Sequence, residues 1–183
     1  EFLKGQLSES YKLYRPVAHE KIDASETFTS DEKAPAKQIS DLLIDMLTEG
    51  IELGRIDLAI DMTRTTAGPH VIVVGIRAAD GKKADEIVKL IPQAFDAWKA
   101  EMDVETVEET AIHTLDLSGD LPQALIDTCG DSGKVYVATS GEIVWVAGGE
   151  GSLELLKEAI TKVHQEEPPA EVSNVFGEFK VHV

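Results

Sequence analysis

At 183 residues the chain has room for one core domain with an extension, and a compact chain of this size buries roughly 70% of its unfolded surface. Its formal charge of −17 repels phosphate backbones and anionic membranes, which speaks against nucleic-acid binding, and no apolar run reaches the ~20 residues of a membrane-spanning helix. The single cysteine, Cys129, excludes an intramolecular disulfide and a thiolate metal cluster.

The charge is uneven. Residues 1–38 hold seven acids and six bases, whereas the rest holds twenty-seven acids and eleven bases. Such a surface solvates the protein and favours a basic partner or a cation over an anion. In chain order, Leu3, Leu7, Tyr11 and Tyr14 predict a short helix ended by Pro16. Residues 17–37 are mixed in charge and lack periodicity, so they read as a long loop. Ile39, Leu42, Leu43, Met46 and Leu47 stripe a helix over 36–49, with Gly50 as its stop. Over 55–62, Ile56, Leu58, Ile60 and Met62 alternate with Asp57, Ala59 and Asp61, the pattern of a half-exposed antiparallel strand. A turn at 65–69 leads into a strand over 70–77 that is apolar on both faces and therefore central. A helix follows over 82–100, kinked or broken at Pro92. A strand is expected over 108–117, then a short helix capped by Asp120 with Pro122 near its start.

From Lys134 onward the pattern is clearest. Two β-rich runs, 134–139 and 142–147, flank Ser140-Gly141 and predict a hairpin. The link Gly148-Gly-Glu-Gly151 leads to a helix with Leu153, Leu156, Ile160 and Val163 on one face. Glu166-Glu-Pro-Pro169 ends regular structure, and 172–183 is expected to hold one more strand. Glu1 in place of Met and a strand-like end at Val183 suggest an excised or processed piece of a longer chain.

Residues 56–91 and 135–163 share one order: strand, turn, strand, Gly-containing link, helix. The expected fold is α+β: two degenerate ββα units form an antiparallel sheet of about five to six strands, with helices packed on one face. The expected division is an N-terminal segment over 1–38, the α+β domain over 39–165 and a C-terminal extension over 166–183. The run Val-Tyr-Val-Ala-x-x-Gly-x-Ile-Val-x-Val-Ala, with the helix ending Leu-Lys-Glu-Ala-Ile, resembles repeats of ββα units in exported bacterial proteins of unknown function. The resemblance spans residues 39–163. It implies a periplasmic or secreted location and brings no functional residue with it.

Reactive constellations are sparse. Gly148-Gly-Glu-Gly-Ser152 precedes a helix but lacks both phosphate-loop patterns, and Glu150 would repel an anion. Asp116-x-Ser118-x-Asp120 begins like a calcium loop, yet Leu121 stands where the sharp turn needs Gly, and Asp127 replaces the bidentate Glu. The histidines show no zinc spacing, and His113 reads as a packed or half-exposed strand residue. Asp57 and Asp61 share a strand face, where a carboxylate pair could serve acid–base work, although a solvated sheet face explains them more simply. Trp98 and Trp145 read as core aromatics. No cofactor is implied. The leading expectation is a non-catalytic domain that binds a protein or small ligand, with Asp57, Asp61, Asp116 and Asp120 as candidate cation or ligand contacts. The alternatives are a divalent-metal-dependent hydrolase using those carboxylates and a structural protein that dimerises through an exposed strand edge.

Overall fold

A computed structural model describes residues 2–53, 57–64, 69–78, 80–117, 122–130, 133–165 and 178–182, with the backbone alone at 2–10, 12, 57, 125 and 178–182. In order the elements are α1 (Phe2–Ala24), α2 (Lys33–Leu53), β1 (Asp57–Arg64), β2 (His70–Arg77), α3 (Lys82–Ala94), β3 (Lys99–Val107), β4 (Thr110–Asp116), α4 (Gln123–Cys129), β5 (Lys134–Ser140), β6 (Ile143–Gly148), α5 (Ser152–Gln165) and β7 (Glu178–His182). They form one sheet in the order β3-β4-β5-β6-β2-β1-β7. The first six strands in chain order pair antiparallel, and β7 lies parallel to β1. The fold is α+β. Among the described residues no helix is long and apolar enough to cross a membrane.

The N-terminal part differs from the sequence expectation. The first helix does not stop at Pro16 but runs through it to Ala24. A proline inside a helix removes one backbone hydrogen bond and costs about 3 kcal/mol. Contacts with α2 offset that loss: Arg15 pairs with Asp45 and Asp41, His19 with Asp41 at 2.9 Å, and Lys37 with Asp23 at 2.6 Å. The loop expected over 17–37 shrinks to the connection between α1 and α2. Glu32 accepts from both the N–H and the hydroxyl of Thr29 at 2.7 Å, a variant of the capping box that opens helices. The boundary expected at 38/39 therefore falls inside α2, which also passes through buried Gly50. Phe28 packs edge-on to Phe95, which stacks on Trp98. This cluster ties the α1–α2 connection to the end of α3.

The third helix runs through Pro92 instead of breaking there, and α3 stops at Ala94, short of the expected residue 100. The residues beyond it hold a strand that the periodicity concealed. β3 and β4 form a hairpin, and positive φ falls on both Glu108 and Glu109 at its turn. Such turns favour Gly or Asn at these places, so two glutamates leave no turn signature. The β5–β6 hairpin lies where it was expected, with its turn one residue later, at Gly141-Glu142. Gly141 carries the positive φ of 59°.

The helices do not share one face of the sheet. On β5, Val137 packs with Val88 of α3, while its neighbour Ala138 packs with Leu156 and Ile160 of α5. Adjacent strand residues point to opposite faces, so α3 and α5 cover opposite faces and the centre of the sheet is apolar on both. Ile112, Ala138, Leu156 and Ile160 are fully enclosed on the α5 side. Gly149 makes the β6–α5 link possible. Its φ is 102°, and a Cβ there would lie 2.4 Å from the His70 carbonyl oxygen.

Candidate functional site

Asp57, Asp61 and Asp116, the candidate carboxylates among the described residues, do not converge. Asp57 and Asp61 lie on β1 four residues apart, which separates their Cα atoms by about 13 Å. Asp61 is exposed, accepts from the Thr63 hydroxyl at 3.1 Å, and lines a shallow cleft with Val73, Glu158 and Lys162. Asp116 ends β4, in register with Lys99 and Lys134 on its two neighbours. Four strand spacings separate β4 from β1, or about 19 Å, so Asp116 and Asp61 cannot share an ion. The side chain of Asp57 and all of Ser118 and Asp120 lie outside the described residues. Among the described residues, no three His, Cys, Asp or Glu side chains are grouped to hold a metal.

His113 is a packed strand residue of β4, one of the two outcomes its sequence context allows. It is 3% exposed and faces α3. The Asp103 backbone N–H donates to its Nδ1 at 3.0 Å, which leaves the proton on Nε2, 3.3 Å from Asp85 Oδ1. The Thr139 hydroxyl donates to the same Asp85 oxygen at 2.6 Å. Asp103 sits at positive φ where β3 shifts register against β4, and this bulge aims its N–H at the ring. The imidazole lone pair is thus occupied by a backbone donor. His113 has no free nitrogen with which to deprotonate Thr139, so the cluster ties α3, β3, β4 and β5 together without forming a nucleophile–base pair. At the end of α5, His164 uses Nδ1 on the Ile160 carbonyl at 2.9 Å, with Ser140 Oγ at 3.3 Å from Nε2. The first contact folds the ring back along its own helix, one turn below.

Trp145 is a core aromatic, as expected. Its benzo edge lies 3.0 Å from where a Cβ on Gly75 would stand, and its indole N–H has no partner among the described residues.

A concave apolar site lies on the face that carries α3, at the part of the sheet α3 does not reach. Ile72 and Val74 of β2, Val146 of β6 and Val135 of β5 line a cavity of about 210 Å³. Cys129 and Gly130, at the end of α4, form its opposite wall, and Gly148 and Gly149 border one end. Cys129 is half-buried, and this burial pushes its thiol above the ordinary value; the thiol stays neutral and is not an activated nucleophile. Lys134 also borders the cavity. It stands in register with Asp116 on the opposite face, so its main chain rather than its ammonium meets the space.

The apolar surface continues outward from there. Met62, Ile60 and Leu58 of β1 pair with Ile72, Val74 and Ile76, so their side chains extend one strip on the same face. Leu58 is 45% exposed. The alternation over β1 marked these residues as a covered face, and the structure covers them only in part. Nothing in the local pattern places α4 over β2, because that proximity depends on the strand order.

No family model, no curated protein and no solved structure matches the chain.

Proposed function

We propose that this chain is a non-catalytic binding domain of a larger, exported bacterial protein, and that it binds through the cavity between α4 and the β2–β6 face. The observation that carries the reading is the aliphatic cavity itself, open beside a strip of partly exposed Leu58, Ile60 and Met62. Concave, mainly apolar surfaces are where ligands gain most from leaving water. The polar clusters elsewhere are engaged in holding elements together. Export rests on the ββα pattern of the sequence. The net charge makes nucleic acid an unfavourable partner. Edge pairing between copies is disfavoured at β3, which bears Glu101, Asp103 and Glu105 and a bulge, two devices that keep strand edges apart.

A fragment screen read by backbone amide chemical shifts tests this. Hits are expected to move the amides of β2, β6 and the end of α4. Hits that gather instead around Asp61 or Asp116 with a divalent ion, or turnover of an ester or phosphoester substrate, would reverse the reading in favour of a hydrolase.

A further inference from the structure

Building on the binding-domain reading, we infer that the cavity under α4 accepts one small uncharged hydrocarbon-like molecule, about the size of a single aromatic ring or a short aliphatic chain. The volume of about 210 Å³ sets the size. An apolar protein cavity of roughly 150 Å³ holds benzene, so the space here suits an occupant of roughly six to nine non-hydrogen atoms. Drug-sized ligands need at least roughly 300 Å³.

The walls set the polarity. Ile72, Val74, Val135 and Val146 present only methyl groups, and the other described lining residues are glycines, the neutral thiol of Cys129 and the main chain at Lys134. An ammonium group seated here would lose water with no carboxylate among the described wall residues to replace it, since Asp127 and Glu150 are outside the lining. A carboxylate or phosphate would meet the same desolvation, in a protein of charge −17 with exposed Glu150 directly after Gly149 and exposed Asp127 two residues before Cys129. A neutral apolar molecule escapes both penalties. The glycine borders lack side chains, which leaves room for a flat ring against the backbone.

The test titrates the full chain, labelled with nitrogen-15, with three probes of one shape: toluene, benzylamine and benzoate. Toluene is expected to shift the amides of Ile72, Val74, Val146, Gly148 and Gly130 along one saturable curve. It is also expected to slow alkylation of Cys129 by iodoacetamide about fivefold at a free concentration of about four times Kd. Because Cys129 is the only cysteine, that rate reports on this wall alone. Val74→Phe, or Val146→Phe if the first fails to fold, fills the space and is expected to abolish both effects. Equal or tighter binding of benzylamine or benzoate at these amides overturns the ligand class while leaving the binding domain in place. Silence with all three probes overturns the cavity and the binding-domain reading together. Shifts at these amides that follow protein concentration without any probe identify a second copy as the occupant and also overturn the inference.

Discussion

Replacing Asp85 by alanine tests whether the His113 cluster is a tie between elements. One carboxylate oxygen accepts from both His113 Nε2 and the Thr139 hydroxyl. Removing it leaves the His113 N–H without its partner at a position 3% exposed, and a buried donor without a partner costs about 1–3 kcal/mol. Thr139 is only partly buried, so its hydroxyl can turn towards water and adds about 1 kcal/mol or less. The Asp85 side chain is itself 30% exposed, which leaves little desolvation to recover on its removal. The expected loss is about 1–4 kcal/mol, or a fall in Tm of roughly 2–16 °C for a chain of this size. Asp85→Asn keeps an oxygen acceptor in place and should lose about half as much. Thr139→Val should lose about 1 kcal/mol. The assay is urea unfolding of the four proteins by circular dichroism. A loss below about 0.5 kcal/mol in Asp85→Ala, or equal losses in the alanine and asparagine variants, would refute the assignment of the oxygen as the joint acceptor.

Leu156 is fully enclosed between α5 and the sheet; Leu156→Ala is expected to lose about 2–5 kcal/mol in the same unfolding assay. Gly149→Ala combines a φ of 102° with a Cβ 2.4 Å from the His70 oxygen; it should destabilise more than Gly151→Ala, where φ is 85° but nothing lies near the added atom. The carboxyl of Glu32 is held below its ordinary value, first by the Thr29 backbone N–H and then by the Thr29 hydroxyl. A carboxyl lowered on folding contributes stability above its unfolded value and loses it as pH falls through the folded one. Glu32→Gln should therefore flatten the stability profile on the acid side of the carboxylate range and leave it parallel to the parent at neutral pH, as measured by Tm against pH.

How far the fold could be read from the residues depended on how local the deciding forces were. The alternation of β1, the two-faced apolar run of β2 and the stripe of α5 were legible because burial acts on each segment at its own period. The β5–β6 hairpin was legible because Gly141 supplies the one positive φ its turn needs. β3 was not: its acids mask the alternation, and Glu108 and Glu109 hold a turn geometry usually left to Gly or Asn. α1 continues past Pro16 because Arg15 and His19 find Asp41 and Asp45 on another helix, which local propensity cannot reveal. Residue type and strand face single out the candidate carboxylates, but strand order separates Asp61 from Asp116. That same order brings β2 beside β6 and creates the cavity, so the site belongs to the topology more than to any stretch of chain.

The placement of α3 and α5 on opposite faces has a consequence for the likeness between the two ββα segments. In the sheet, β5-β6 and β2-β1 lie side by side, with β6 next to β2 and antiparallel to it. A half-turn about the sheet normal brings one hairpin onto the other, strand for strand and direction for direction, but it leaves each helix on its own side. The two hairpin–helix segments are therefore of opposite hand, and no rotation superimposes them. Duplication of a folded segment preserves its hand, so copying alone does not produce this pair; the shared order of elements conceals a mirror relation in space.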